Sequence, residues 1–434
     1  MRLAIISDIH LGDSQSAVAF RGQDGKHISI GAKYGELLSA VRAQSGERPL
    51  DYLVLLGDIF DFSVASYADA YEVGKSFFQR LRDDEIANEI IYVPGNHDFD
   101  LWSTVEYQVN VTSRFGRGKL PRRFRMSVPG IIDDRADAIE GRFVLRGVSP
   151  RVQAREPGQR YGGLFLDDIT SPPTPFNFAF PNVYLLTNAE SVLLTHGQYL
   201  EPYWSVMGRW AQYLFDGALD LKSGGLIDLE EMVALNFPLS QLGCSVLGQA
   251  GPLTEIVQKL EHEIKQKDLG NVAGYLDRAG DEIRKGVKGV LRWVFPIAYR
   301  LVKKEVLRRL AQMEDTRYST KFAEDPRVRR MLADFYASTA YEISQLKEKY
   351  GVDIPLPTSM IMGHTHQPIP WQSPRAPTIR LPQLPGDKPF SLYNTGGWLY
   401  RREADGQLSF CGAEVFFYES GKGISSKAIG YTPA

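Results

Sequence analysis

Cysteine is nearly absent from this 434-residue chain: only Cys244 and Cys411 occur, too few and too far apart for a disulfide framework or a thiolate metal site. A reducing compartment fits that scarcity. Long apolar runs are missing too. The longest uncharged stretch, Met232 to Thr254, holds Asn236, Gln241 and Gln249 together with Pro238, Gly243, Gly248, Gly251 and Pro252, which makes it a poor membrane span. Met1 to His10 reads as a strand running into polar residues, with no room for a cleavable leader, so a cytoplasmic protein is expected. Nor does one sign of charge dominate. The net charge of -2 excludes a global field for nucleic acid or an anionic surface and leaves any such preference to a local patch. Internal repeats and low-complexity tracts are absent, and only 172–181 and 374–389 read as Pro-rich loops.

What is present is an ordinary soluble composition, 43% hydrophobic and 24% charged, on a chain long enough for one large domain with an insertion or for two domains. One local pattern recurs. Short apolar runs at Leu3–Ile6, Leu53–Leu56, Ile90–Val93, Val192–Leu194 and Met360–Met362 each end abruptly in Asp, Asn or His with glycine close by. Such runs suit strands buried on both faces. Helix-like stretches at Ala32–Ala43 and Ala68–Arg82 separate the first three, which gives the alternation of a parallel sheet with ligands at its carboxyl ends. Shorter alternating segments at Phe143–Val148, Val183–Thr187, Ser391–Asn394 and Glu414–Tyr418 suggest a second, more antiparallel sheet. Residues 198–355 are periodic at helical spacing and read as a helical insertion between core segments 1–197 and 356–434.

Five of the seven histidines, His10, His97, His196, His364 and His366, lie at those strand ends. Residues two apart on a strand point the same way, so Asp8 with His10, and His364 with His366, would each present a chelating pair. Asp58 and Asn96 follow glycines, which permit close backbone approach beside a ligand. Carboxylate, imidazole and amide oxygen without thiolate suit Mn first, with Fe, Zn or Co also acceptable. Seven ligands are too many for one cation, and two metals sharing a carboxylate would hold a hydroxide between them.

The ordered blocks Asp8-Ile9-His10, Gly57-Asp58, Gly95-Asn96-His97-Asp98, His196-Gly197 and Gly363-His364-Thr365-His366 resemble the calcineurin-like metallophosphoesterase superfamily. The resemblance implies a four-layer α/β/β/α sandwich with a large helical insertion and two divalent metal ions. One metal would take Asp8, His10, Asp58 and His366; the other would take Asp58, Asn96, His196 and His364. His97 would face the scissile phosphorus, with Asp98 orienting its ring. Asp13 and Asp61, beside the blocks, are candidates for supporting the metal ligands or for substrate contacts. Further candidates for substrate contacts are Trp204 and Trp210, which with Tyr199, Tyr203, Tyr213 and Phe215 follow His196 closely enough to wall an apolar pocket.

The insertion lies where UDP-diacylglucosamine hydrolases carry the lid that holds acyl chains, which points to a phosphoester or pyrophosphate with a lipid-like portion. Within it, residues 284–309 carry Arg284, Lys285, Lys288, Arg292, Arg300, Lys303, Lys304, Arg308 and Arg309 with only Glu305 opposing them. That stretch is a candidate peripheral contact with an anionic membrane, set against an ordinary helical lid. A Mn-dependent nuclease is the rival enzyme, less favoured because the nucleases resembled place a DNA-contacting domain after the last block, whereas only residues 367–434 follow here. A catalytically inactive metal-binding scaffold is the non-enzymatic alternative.

Overall fold

The computed structural model describes residues 1–135 apart from 23 and 47, then 143–145, 164–170, 174–201, 205, 228–241, 249, 269–286, 296, 299–300, 303–304, 307, 322–385, 388–402 and 407–432. Each of the five abruptly ending apolar runs is a strand: β1 (Arg2–Ile6), β4 (Leu50–Leu56), β5 (Ala87–Val93), β10 (Ser191–Thr195) and β11 (Ser359–Met362). The two expected helices appear as α1 (Ala32–Ser45) and α2 (Tyr67–Asp83), with α3 (Phe99–Tyr107) following β5. Ser66 caps α2 by accepting the Asp69 N–H at 3.1 Å, satisfying one of its orphan first-turn donors.

Two sheets share the strands. The first runs β17 (Gly423–Ile429), β16 (Ala413–Glu419), β1, β4, β5 and β8 (Phe176–Phe178); its β1, β4, β5 and β8 are parallel, and β16 and β17 extend it antiparallel. The second runs β12 (Thr378–Arg380), β13 (Pro389–Asn394), β11, β10, β9 (Asn182–Leu186), β6 (Gly130–Asp133) and β7 (Phe143–Leu145). It is mixed: β13, β11 and β10 are parallel, as are β9 and β6, while the β10–β9, β13–β12 and β6–β7 pairs are antiparallel. Glu414–Tyr418 was expected in this second sheet and instead forms the middle of β16, antiparallel to β1. Alternation identifies a strand without saying which of two sheets it joins.

Strand parity divides the interior. Leu3 and Ile5, Val54 and Leu56, Ile91 and Val93, Val183 and Leu185, and Val192 and Leu194 point between the sheets into one buried cluster. Their neighbours on the first sheet, Ala4, Ile6, Leu53, Leu55 and Tyr92, turn to the other face, into a cluster with Leu37, Phe77 and Phe78 of α1 and α2, and on the second sheet Tyr184 turns outward to donate to Glu342. Both faces are covered, as apolar strands without a polar face require. The fold is therefore the α/β sandwich expected. Register also matters: Ile6 lies opposite Leu55, Leu56 opposite Val93, and Leu194 opposite Ile361, so parallel strands end level with one another and their polar loops meet.

The chain divides into two compact units, Met1–Gln249 with Arg317–Ala434, and Ala250–Thr316. This division falls inside residues 198–355. Helices α4 (Leu229–Ser240) and α6 (Pro326–Tyr350) lie in the first unit, where Tyr199 stacks on Phe335 at 5.8 Å and Tyr336 meets Phe390 edge-on at 4.9 Å. Asp228 and Glu231 form a capping box on α4, and α6 runs from Asp325-Pro326 to the left-handed Gly351. The second unit contains α5 (Leu269–Gly286), on which the Tyr299 ring approaches Gly280 and its hydroxyl donates to the Leu276 carbonyl. The basic stretch 284–309 meets more acid than its own sequence shows. Lys303 pairs with Asp277 at 2.6 Å and Lys285 with Glu282, both on α5, because helical spacing and folding bring them close. Lys288, Arg292, Arg308 and Arg309 lie outside the described residues, as do Trp204 and Trp210. Among the described residues, no helix is long and apolar enough to cross a membrane.

Candidate metal centre

β1 ends at Ile6 and β11 at Met362, so Asp8, His10, His364 and His366 stand beyond their strands, not within them. Strand alternation therefore does not align these pairs. Their backbone does: Asp8, His10, His364 and His366 have φ of 53, 53, 70 and 54°, and Asp58 has φ of 50°. Only two other non-glycine residues described, Glu85 and Gln372, share a positive φ. Asp and His tolerate this left-handed region better than most side chains, yet it is still unfavourable for each. Backbone bonds hold the turns, with Asp8 N donating to Gly57 O at 3.0 Å and His10 N to Asp58 O at 2.9 Å. Two glycines make room: a Cβ on Gly57 would collide with the His196 ring, and one on Gly95 with the Asp58 carboxylate.

All seven expected ligands come together and all are buried. Two groups result. In the first, His366 Nε2 lies 3.1 Å from Asp8 Oδ1 and 3.3 Å from His10 Nε2, and His10 Nε2 is 4.0 Å from Asp8 Oδ1. In the second, His196 Nε2 lies 3.0 Å from Asp58 Oδ2 and 3.1 Å from Asn96 Oδ1, with the His364 ring 5.2 Å from that of His196. Asp58 Oδ2 is also 4.0 Å from His10 Nε2, so this one oxygen reaches both groups.

These separations test the fit to cations. Donors bound about 2.0–2.1 Å from one tetrahedral or octahedral ion stand roughly 3.0–3.4 Å apart. The closest pairs here have that spacing. Two imidazole nitrogens facing one another at 3.3 Å inside a protein, beside buried carboxylates, make sense around positive charge. Asp8-His10-His366 and Asp58-His196-His364 are thus groups able to hold a metal ion.

An accounting of imidazole protons agrees. A carboxylate or carbonyl oxygen outside the ligand groups only accepts, so a ring nitrogen bonded to one carries the proton and leaves the other nitrogen, the one facing the group, as the donor to metal. His10 Nδ1 meets Asp61 Oδ2 at 2.8 Å, and His196 Nδ1 meets the Leu56 carbonyl at 3.0 Å, so both present Nε2 to the groups above. His364 is reversed: its Nε2 lies 3.1 Å from Glu201 Oε2, which leaves Nδ1. Glu201 was not singled out by sequence. Its only signal there is an acid five residues after His196, at the end of the short turn Gln198–Leu200.

Asp61 takes the supporting role among its expected alternatives, and Asp98 does something different. Asp61 Oδ1 accepts from His97 Nδ1 at 3.0 Å while its Oδ2 accepts from His10, so one carboxylate orients two rings. Ser63 supports it through its backbone N–H at 3.0 Å and its hydroxyl, which also lies 3.2 Å from His97 Nδ1. Asp98 does not orient His97. Its carboxylate instead accepts the N–H groups of Ile59 at 2.8 Å and Gly95 at 2.6 Å and the Tyr92 hydroxyl at 2.5 Å, which ties the Gly57 and Gly95 loops together. The resemblance implied Asp98 for this role, but its two oxygens are taken by Ile59, Gly95 and Tyr92, and the carboxylate that reaches His97 is that of Asp61. Asp13 is partly buried in the loop after His10, where its carboxylate accepts from Gln15 N at 2.8 Å.

Electrostatics follow the geometry. Burial opposes charge on Asp58, yet His196 and His97 hold its carboxyl well below the ordinary range. Burial likewise opposes charge on Asp61, and His97 and His10 outweigh it. Burial would lower His10, but the Asp61 bond and charge carry it up to about 9. Burial, with Asp58 nearby, pushes Asp98 up to about 6, and burial also raises Asp13.

No curated protein matches the chain. His364 and His366 lie beyond the segment that a family model recognises, yet folding brings them against Asp8 and Asp58. Residues 1–206, just under half of the chain, match the family described as calcineurin-like phosphoesterase, so that segment is similar to a family of phosphoesterases.

Proposed function

We propose that the protein is a two-cation phosphoesterase. Asp8, His10, Asp58 and His366 would hold one cation, and Asp58, Asn96, His196 and His364 the other. The observation that carries this reading is Asp58 Oδ2, which faces His196 Nε2 at 3.0 Å and His10 Nε2 at 4.0 Å and so belongs to both groups. Bound divalent cations would supply charge against phosphoryl oxygens and lower the pKa of water to near neutrality.

The remaining chemistry belongs to the chain. Asp61 and Ser63 engage His97 Nδ1, which leaves Nε2 to meet a substrate, and from there a protonated ring donates to a phosphoryl or leaving-group oxygen. His97 is thus the catalytic imidazole and Asp61 a positioning residue. Burial of the whole cluster keeps bulk water from screening these charges. Tyr199, expected near a pocket wall, is instead packed in the core against Phe335.

Metal-depleted protein reloaded with Mn, Fe, Zn or Co tests the reading. Elemental analysis should find two ions per chain, and the loaded protein should hydrolyse p-nitrophenyl phosphate or its bis ester. A single ion per chain overturns the shared-carboxylate arrangement. No turnover with any of the four metals leaves only a metal-binding scaffold.

A further inference from the structure

Residues 107–126 carry six cations, Arg114, Arg117, Lys119, Arg122, Arg123 and Arg125, and no acid, within a chain of net charge -2. The same segment concentrates apolar exposure. Six large hydrophobic side chains are exposed among the described residues, and three of them are here: Tyr107 at 55%, Phe115 at 62% and Leu120 at 82%. Residues 115–123 are exposed without interruption.

This is a built projection. The chain leaves the site along α3, continues through a π-helical turn at Gln108–Thr112 to Phe115, reverses at residues 116–118 and returns extended. Its base is pinned on the inside. Buried Glu106 takes Arg125 in an ion pair at 2.6 Å, Arg122 N donates to Asn110 O at 2.9 Å, and the Trp102 indole donates to Arg125 O at 3.1 Å. The tip is closed by Lys119 N donating to Arg114 O at 2.9 Å and by the Arg114 guanidinium on the Leu120 carbonyl. Arg125 is thus structural, and the other five cations flank Phe115 and Leu120 along the chain.

We infer that this projection docks the protein on an anionic lipid surface, with Phe115 and Leu120 entering the headgroup region and Arg114, Arg117, Lys119, Arg122 and Arg123 facing lipid phosphates. Cations combined with inserted apolar side chains are what such a surface selects. Nucleic acid would use the cations too, but it gives a branched aliphatic side chain at the very tip nothing to stack on. The tip lies about 20–25 Å along a helix from the candidate metal centre, so docking would fix that centre at a set distance from the bilayer.

Flotation of the full chain with vesicles tests this independently of catalysis. Vesicles of phosphatidylcholine mixed with phosphatidylglycerol should carry the protein at low salt, and phosphatidylcholine alone should not. Arg122→Glu with Arg123→Glu, and separately Phe115→Ser with Leu120→Ser, should each weaken binding by about tenfold or more while leaving the thermal midpoint and any ester turnover unchanged. Absence of flotation on the mixed vesicles, or undiminished flotation of both variants, overturns the inference. So does a duplex oligonucleotide that binds the wild type more tightly than the vesicles and is indifferent to the Phe115 and Leu120 changes.

Discussion

The two ligand groups use the same residue types but are held from outside by different means. In the Asp8-His10-His366 group, His10 is oriented by Asp61, a carboxylate that also orients His97. In the Asp58-His196-His364 group, His196 is oriented by a backbone carbonyl at Leu56 and His364 by Glu201, neither of which touches His97 among the bonds described. The first group is therefore coupled to the imidazole proposed for catalysis, and the second is coupled to the main chain and to the segment after β10. An outer partner typically contributes 10–100-fold in metal affinity or activity, so this asymmetry is large enough to measure.

Asp58→Asn removes the one oxygen both groups share. It should lower kcat/KM by more than about 100-fold, beyond the range for an outer partner, and reduce bound metal below two per chain. Full loading with full turnover would dissolve the pairing of the groups. Asp61→Asn should cost about 100-fold by acting on two rings at once, lowering affinity for one cation together with kcat. His97→Gln should lower kcat by roughly 100-fold or more while both cations stay bound, and a loss of metal in that variant would make His97 a ligand instead. Glu201→Gln should weaken one cation only, by about tenfold, which a metal titration would show as two separated phases. A uniform weakening would mean that the two groups do not act separately.

The smallest effect lies away from the centre. Glu342 on α6 accepts from the Tyr184 hydroxyl at 2.7 Å and from Ser127, and burial pushes its carboxyl up to about 7. An acid whose folded pKa is raised gives up stability as pH climbs from its unfolded value, near 4.5, to its folded one. The thermal midpoint should therefore drift down between those limits, and Glu342→Gln should flatten the drift while leaving metal binding alone.

Much of the centre was legible because ligand chemistry restricts residue type. Asp, Asn and His at the ends of apolar runs are hard to explain otherwise, and the runs themselves fixed five strands. What stayed hidden was contact across the fold. Glu201 is one acid among many until His364, 163 residues away in sequence, arrives beside it. The resemblance implied Asp98 as the partner of His97, whereas the side chain within reach comes from the loop after β4. The sheet that Glu414–Tyr418 joins, and the partner faces of α4 and α6, were equally out of reach, since periodicity reports an apolar face and not what covers it.

The left-handed backbone at Asp8, His10, Asp58, His364 and His366 has a consequence for how this protein tolerates change. Each such residue costs on the order of 1 kcal/mol relative to glycine in the same conformation. Glycine at His10 or His366 would relax the local backbone while abolishing a donor, but its greater freedom in the unfolded chain offsets that gain and the lost imidazole leaves buried partners unpaired. The backbone strain of this fold is thus concentrated where the ligands are.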